Sequence, residues 1–109
     1  MSSDPDPDRE RGAEPGAVSG SFTVSLPHGL HARPAGALVG SIDGMDADVW
    51  LSDLTGGGPA ASARSLLSIV ALGAHAGHEL QVRASGPDAR AAVDAVLALA
   101  AADFGEPLG

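Results

Sequence analysis

The residue pattern predicts an α+β fold of the open-faced sandwich type, with a four-stranded antiparallel sheet covered on one face by three helices. Three observations predict it. Apolar and polar residues alternate in short runs, most plainly at Phe22, Val24, Leu26 and again at Leu80, Val82, Ala84, as half-buried strands require. A stripe with helical spacing, made of Ala89, Val93, Val96, Leu97 and Ala100, follows the last run. Glycine and proline punctuate the joints, and the resulting order is strand, helix, strand, strand, helix, strand, helix.

Residues 1–19 come first, with Asp4, Asp6, Asp8, Glu10 and Glu14 set among Pro and Gly. Such a segment cannot bury apolar surface and reads as a disordered acidic tail or linker. The folded domain is expected over residues 20–104, with a flexible end at 105–109. The first strand is read from Ser21, with Phe22, Val24 and Leu26 inward. Pro27-His28-Gly29 then turns the chain into a helix over Ala32 to Asp43. Pro34 suits its first turn, Leu38, Val39 and Ile42 share a face, and Gly44 suits its end. The second strand is read over Ala47 to Ser52 with Val49 and Leu51 inward, so that Trp50 faces the other way, partly exposed or covered by the turn that follows. A Gly-rich turn leads to a short strand around Ala60 to Ala63. Ser65 opens a helix holding Leu66, Leu67, Ile69 and Val70, and Gly73 ends it. A loop through His75 and His78 reaches the strand Glu79 to Ser85, and Gly86-Pro87-Asp88 turns into the last helix.

Composition bounds what such a domain does. The chain has 109 residues, 44% hydrophobic but only 3% aromatic, so its core is built from Val, Leu, Ile and Ala. Without cysteine it has no disulfide, thiol nucleophile or Cys-based zinc site. Six arginines, no lysine and a net charge of −8 argue against nucleic acid, which demands a basic face and stacking aromatics. No apolar run of signal-peptide length opens the sequence, and none approaches the roughly 20 residues that span a bilayer, so a cytoplasmic protein without membrane insertion is expected.

The richest stretch in chemistry is Gly29-Leu30-His31-Ala32-Arg33-Pro34-Ala35. It puts His31 near a helix N-cap, with Arg33 two residues on. First-turn N–H groups and the positive end of the helix dipole favour an anion there, and a guanidinium adds a fork of donors matched to oxyanions. An imidazole with a pKa of about 6.5 is partly neutral at physiological pH and can attack an activated phosphoryl group. The pattern is therefore that of a phosphate site with His31 as nucleophile. Against it stands a capping histidine beside a solvated arginine.

Other motifs have plainer readings. His28 and His31, like His75 and His78, are spaced as metal pairs often are, but neither pair lies on a confident helix or has a completing carboxylate, so no metal is expected. Gly56-Gly57-Gly58 lacks the Lys-Ser/Thr continuation of a phosphate loop and reads as a flexible turn. Ser65 is either a helix cap or a regulatory phosphorylation site.

Together, the segment from Gly29 to Ala35 and a second one, Ala63-Arg64-Ser65-Leu66-Leu67 running to Leu72-Gly73, resemble the HPr family of histidine-containing phosphocarriers of the bacterial phosphotransferase system. The likeness extends over about Ser21 to Ala102, and the connection Asp53 to Pro59 is a few residues longer than is usual in the family. The resemblance implies an HPr-like sandwich and a carrier that is not an enzyme and holds no cofactor. It implies a transient phosphohistidine at Nδ1 of His31, with Arg33 and the backbone amides of Ala32 and Arg33 holding the phosphoryl group. Enzyme I is then the donor and an enzyme IIA-type protein the acceptor, Ser65 falls where many members carry a serine targeted by a serine kinase/phosphorylase, and the chain is a monomer; the departure from the family in its lysines makes the docking patch apolar instead, centred on Leu66, Leu67 and Val70. His28 falls where the family often has a small polar residue, beside the active site. The family's lysines are missing, with Gly40, Asp43 and Ser68 at comparable positions, which leaves Arg33 and Arg64 as the main cations of the docking face and weakens steering toward acidic partners. Three other readings remain open. One is an HPr-like domain of the phosphoryl-donor subunit of a dihydroxyacetone kinase. Another is a regulator acting through Ser65 and the apolar face, and the last is an interaction module that keeps only the fold.

Overall fold

The computed structural model describes residues 17–105, and both the acidic stretch 1–16 and the end 106–109 lie outside them. Seven elements follow in chain order: β1 (Val18–Thr23), α1 (Ala32–Ser41), β2 (Asp48–Asp53), β3 (Ala61–Ser62), α2 (Leu66–Ala71), β4 (Glu79–Ser85) and α3 (Ala89–Ala101), with a terminal turn at Asp103–Gly105. The sheet order is β1-β4-β2-β3, and each neighbouring pair runs antiparallel. This is the expected open-faced sandwich.

Alternation decides the faces. Val49 and Leu51 of β2 and Leu80, Val82 and Ala84 of β4 are buried under the helices, and α3 lies across β1, β4 and β2. Gly20 of β1 lies so close to α3 that a Cβ there would sit 2.8 Å from a methyl of Leu97. On the uncovered face Trp50 is 45% exposed, paired in register with Arg83 and Ser62, and it borders a groove shared with Gly57, Gly58 and Pro59 of the long turn. The core joins these strand residues to Leu38 and Ile42 of α1 and its C-cap, Ile69 of α2, and Ala92, Val93 and Val96 of α3. At ~25 cal/mol per Å² of apolar surface removed from water, alanines at helix–sheet contacts contribute less each than leucines but allow closer approach.

Several boundaries differ from expectation, each for a local reason. β1 starts at Val18, inside the stretch whose composition reads as tail, and stops at Thr23. Val24 and Leu26 are buried as expected, but Val24 exchanges both its backbone bonds with the 77–78 loop, its N–H donating to the His78 carbonyl and its own carbonyl accepting from Gly77. α1 stops at Ser41 with Ile42 as C-cap, before the expected Asp43, while Gly44 takes the left-handed φ of 82° expected of it. β2 is shifted by one residue to include Asp53, and β3 shrinks to two residues. Gly105, expected in a loose end, closes a turn in which Asp103 and Phe104 both adopt positive φ. Non-glycine residues occupy that region at a cost. Here Asp103 accepts a 2.6 Å bond from the Ser25 hydroxyl, and Phe104 is buried edge-on against Phe22.

Candidate functional site

α1 begins where the sequence places it. His31 is its N-cap, with extended backbone (φ −80°, ψ −171°), and its carbonyl accepts the first helical bond from Ala35. The side chain makes no capping hydrogen bond. Ala32 and Arg33 fill the first turn ahead of that bond, and Pro34 is buried behind them. In any α-helix the N–H groups of this turn point outward along the axis, at the positive end of the dipole. His31 is half-buried while Ala32 and Arg33 are exposed, so the helix end is open to an incoming group. His28 lies beside it, its ring centroid 6.3 Å from that of His31 with the planes at 73°.

The approach to His31 is built against a second loop. Gly29 takes a φ of 71°, and a Cβ there would overlap the Ala74 carbonyl oxygen, so glycine is required twice over. That carbonyl accepts the Leu30 N–H at 3.1 Å.

α2 packs beside α1. Its N-cap Ser65 accepts the Ser68 N–H on its hydroxyl at 3.2 Å, a helix-capping arrangement. Leu67 is 80% exposed, Leu66 40% and Val70 39%, while Ile69 anchors the helix in the core. The apolar patch read from the sequence is therefore on the surface.

Arg64, read as a cation of the docking face, is exposed and also reaches the chain just after α1, its guanidinium donating to the carbonyls of Ile42 (3.3 Å), Met45 (2.6 Å) and Ala47 (2.8 Å). It thus caps the end of one helix from the start of the next, which a sequence window cannot show.

Sequence reasoning also missed Asp53. It is 4% exposed, the one buried charged side chain among the described residues. Its Oδ1 accepts the N–H groups of Gly56 (2.8 Å) and Thr55 (3.1 Å), and its Oδ2 lies 2.8 Å from Nδ1 of His78. Burial pushes the carboxyl up, but the Gly56 N–H, the His78 ring and the Thr55 N–H together outweigh it and hold Asp53 below the ordinary carboxylate range. The signal available was the Asp-x-Thr-Gly spacing of an Asx turn. Among the described residues no three His, Asp or Glu side chains gather as metal ligands do, and no helix is long and apolar enough to cross a membrane.

This geometry agrees with comparisons to known proteins. Residues 18–102 match the family described as "PTS HPr component phosphorylation site". The chain is 43% identical over 89 residues to the multiphosphoryl transfer protein of Escherichia coli O157:H7, covering 82% of this chain and 24% of that protein. It is 37% identical over 93 residues to phosphocarrier protein HPr of Chlamydia muridarum, covering 85% of this chain and 86% of that one. The phosphoryl donor subunit DhaM of a PEP-dependent dihydroxyacetone kinase from Klebsiella michiganensis is 42% identical over 91 residues, covering 84% of this chain and 19% of the subunit. The chain thus spans about a quarter or less of the two larger relatives and most of the small one. Among solved structures, HPr-C-His from Thermoanaerobacter tengcongensis superposes with a TM-score of 0.75 at 27% identity, over 84% of this chain and 99% of that one. A histidine-capped helix on this sandwich, matched along its length by these relatives, leaves one conclusion: the chain belongs to the HPr family, the phosphocarriers of the phosphotransferase system.

Proposed function

We propose that this chain carries a phosphoryl group on His31, receiving it from a phosphohistidine of enzyme I and passing it to an enzyme IIA-type acceptor. The observation that carries this reading is the placement of His31 as N-cap of α1 with Arg33 in the first turn. Nδ1 of neutral His31 attacks phosphorus in line. The N–P bond of the donor breaks, and its electron pair returns to the donor imidazole, which takes up a proton as the newly phosphorylated His31 gives up the one on its Nε2. Running the same step toward the acceptor discharges the carrier. The Ala32 and Arg33 amides and the Arg33 guanidinium hold the anion, so this chain contributes positioning and electrostatics and no covalent step beyond the one on His31. Leu66, Leu67 and Val70 are the surface partners desolvate, in keeping with the scarcity of cations. Ser65 caps α2 beside this patch, where a serine kinase/phosphorylase would alter docking. Incubation with phosphoenolpyruvate and enzyme I, followed by mass measurement, tests the reading. One added phosphoryl group, labile to acid and stable to base, supports it, and an unchanged mass refutes it.

A second reading, in which the chain serves as the HPr-like domain of a dihydroxyacetone kinase donor, is favoured by the 42% identity to such a subunit and by the absence of lysine. Discharge of the phosphorylated chain by that kinase and not by an enzyme IIA-type protein would select it.

A further inference from the structure

The pair of buried Asp53 and half-buried His78 lies in none of the roles above, yet it is tied to the His31 loop through continuous contacts. Asp53 ends β2, inward-facing, and its carboxylate is enclosed by the turn that follows. Gly56 approaches so closely that a Cβ there would fall 2.8 Å from Asp53 Oδ2 and 3.3 Å from Cε1 of His78. The turn is closed further by the Gly57 N–H on the Asp53 carbonyl (2.8 Å), by Leu54 N–H on the Glu79 carbonyl (2.8 Å) and by Glu79 N–H on the Thr55 hydroxyl (2.8 Å). The long Gly-rich connection is thus folded around this pair.

From His78 the contacts continue toward His31. The His78 N–H donates to the His75 carbonyl at 3.0 Å, and the two imidazoles meet edge to face with centroids 5.3 Å apart. Residues 74–78 are thereby one short closed loop. Its far end is the Ala74 carbonyl, which accepts the Leu30 N–H and against which Gly29 is pressed. Its near end is pinned by Val24, which bonds to His78 and Gly77. One side of this loop is therefore held by Asp53, and the other side is the surface on which the residues entering His31 rest.

We infer that Asp53 and His78 form a positioning couple for His31: their side-chain bond fixes loop 74–78, and that loop fixes Gly29 and Leu30 and with them the attitude of the His31 ring at the end of α1. Neither residue touches the phosphoryl group. The inference rests on His31 as the phosphoryl carrier, and a displacement of about 1 Å at a reacting atom is sufficient to slow transfer strongly.

The test compares Asp53→Ala with Asp53→Asn, and uses His78→Ala as a second break from the more exposed partner, should Asp53→Ala fail to fold. All are assayed well below their melting temperatures, by stopped-flow phosphorylation from enzyme I and by NMR of the Leu30 and His31 amides and the His31 ring without phosphate donor. The expected result is transfer about tenfold slower in either alanine variant, with shifted Leu30 and His31 resonances. Asp53→Asn, whose amide can still bond both the turn and the ring, restores most of the rate and the native shifts. The inference is overturned if folded alanine variants transfer within twofold of wild type with unmoved His31 resonances, or if Asp53→Asn behaves like Asp53→Ala. The resonances report positioning without any phosphorylation, so absence of labelling in wild type would strike the carrier reading while leaving this readout intact.

Discussion

The N-termini of α1 and α2, two helices packed against each other, are finished differently. At α2 the cap is Ser65, whose hydroxyl accepts the Ser68 N–H and so satisfies part of the helix end from within the chain. At α1 the cap is His31, an imidazole that makes no capping bond, with an arginine in the turn it opens. One end is completed by its own side chain and is worth stability. The other leaves its first-turn amides at the dipole end without a side-chain cap bond from His31, the end at which we propose the phosphoryl group is carried. On the proposed function, that difference should separate residues whose replacement stops transfer from those whose replacement softens the fold.

The largest expected effect is at the first end. His31→Ala should abolish phosphoryl labelling by enzyme I and phosphoenolpyruvate, while Ser65→Ala, His28→Ala and His75→Ala still reach full labelling by mass. Labelled His31→Ala protein would end the distinction between the two caps. Next comes Arg33→Lys, which keeps the charge and loses the fork. Transfer in stopped-flow assays should slow by roughly tenfold, equivalent to about 1.4 kcal/mol. Rates matching wild type would mean the helix end works without the guanidinium.

At the second end the effects are smaller and of another kind. Ser65→Ala should cost about 1 kcal/mol in denaturant unfolding, the usual value of a lost cap, and leave transfer unchanged. Ser65→Asp keeps a capping oxygen and so should hold Tm, yet it sets a charge beside Leu66, Leu67 and Val70 and should slow docking with enzyme I several-fold at matched salt. Equal transfer rates for that variant would make Ser65 a cap and nothing more.

The smallest expected effect is the change in stability of the Asp53→Asn variant, and it depends on pH. The folded pKa of Asp53 is depressed, so as pH falls the unfolded chain takes up this proton first, at the ordinary value of 3.8. The stability it confers is complete above that pH and is lost as pH falls through the lower folded value. Unfolding measured between neutral pH and pH 3 should show Asp53→Asn less stable at neutrality and converging on wild type in acid. A constant gap between the two curves would contradict the hydrogen-bonded carboxylate.

Much of the fold was legible because its signals are local. Alternation in Leu80, Val82 and Ala84, the stripe in α3 and the glycine after α1 each sit in one window of sequence, and each element formed. The His31 cap was legible for the same reason, since Pro34 and the apolar face behind it announce a first turn. What was not legible depends on partners far apart in the chain. Arg64 is an exposed cation whose second task, donating to the carbonyls of Ile42, Met45 and Ala47 from 17 to 22 residues away, no local window shows. Asp53 is one turn residue among several until His78, 25 positions on, closes over it. β1 runs further toward the N-terminus than alternation suggests because Ser19 and Gly20 present little hydrophobicity, and their strand conformation is imposed by pairing with Arg83 and Val82.

One spectrum tests whether His31, the N-cap of α1, carries the phosphoryl group. Phosphorus NMR of the wild-type chain after enzyme I and phosphoenolpyruvate, combined with nitrogen-edited spectra of its four imidazoles, reads which atom is modified. A single phosphoramidate resonance coupled to Nδ1 of His31, with the other three rings unmodified, is the predicted result. A phosphoramidate on His28, His75 or His78, or a phosphoester on Ser65 in its place, would contradict it.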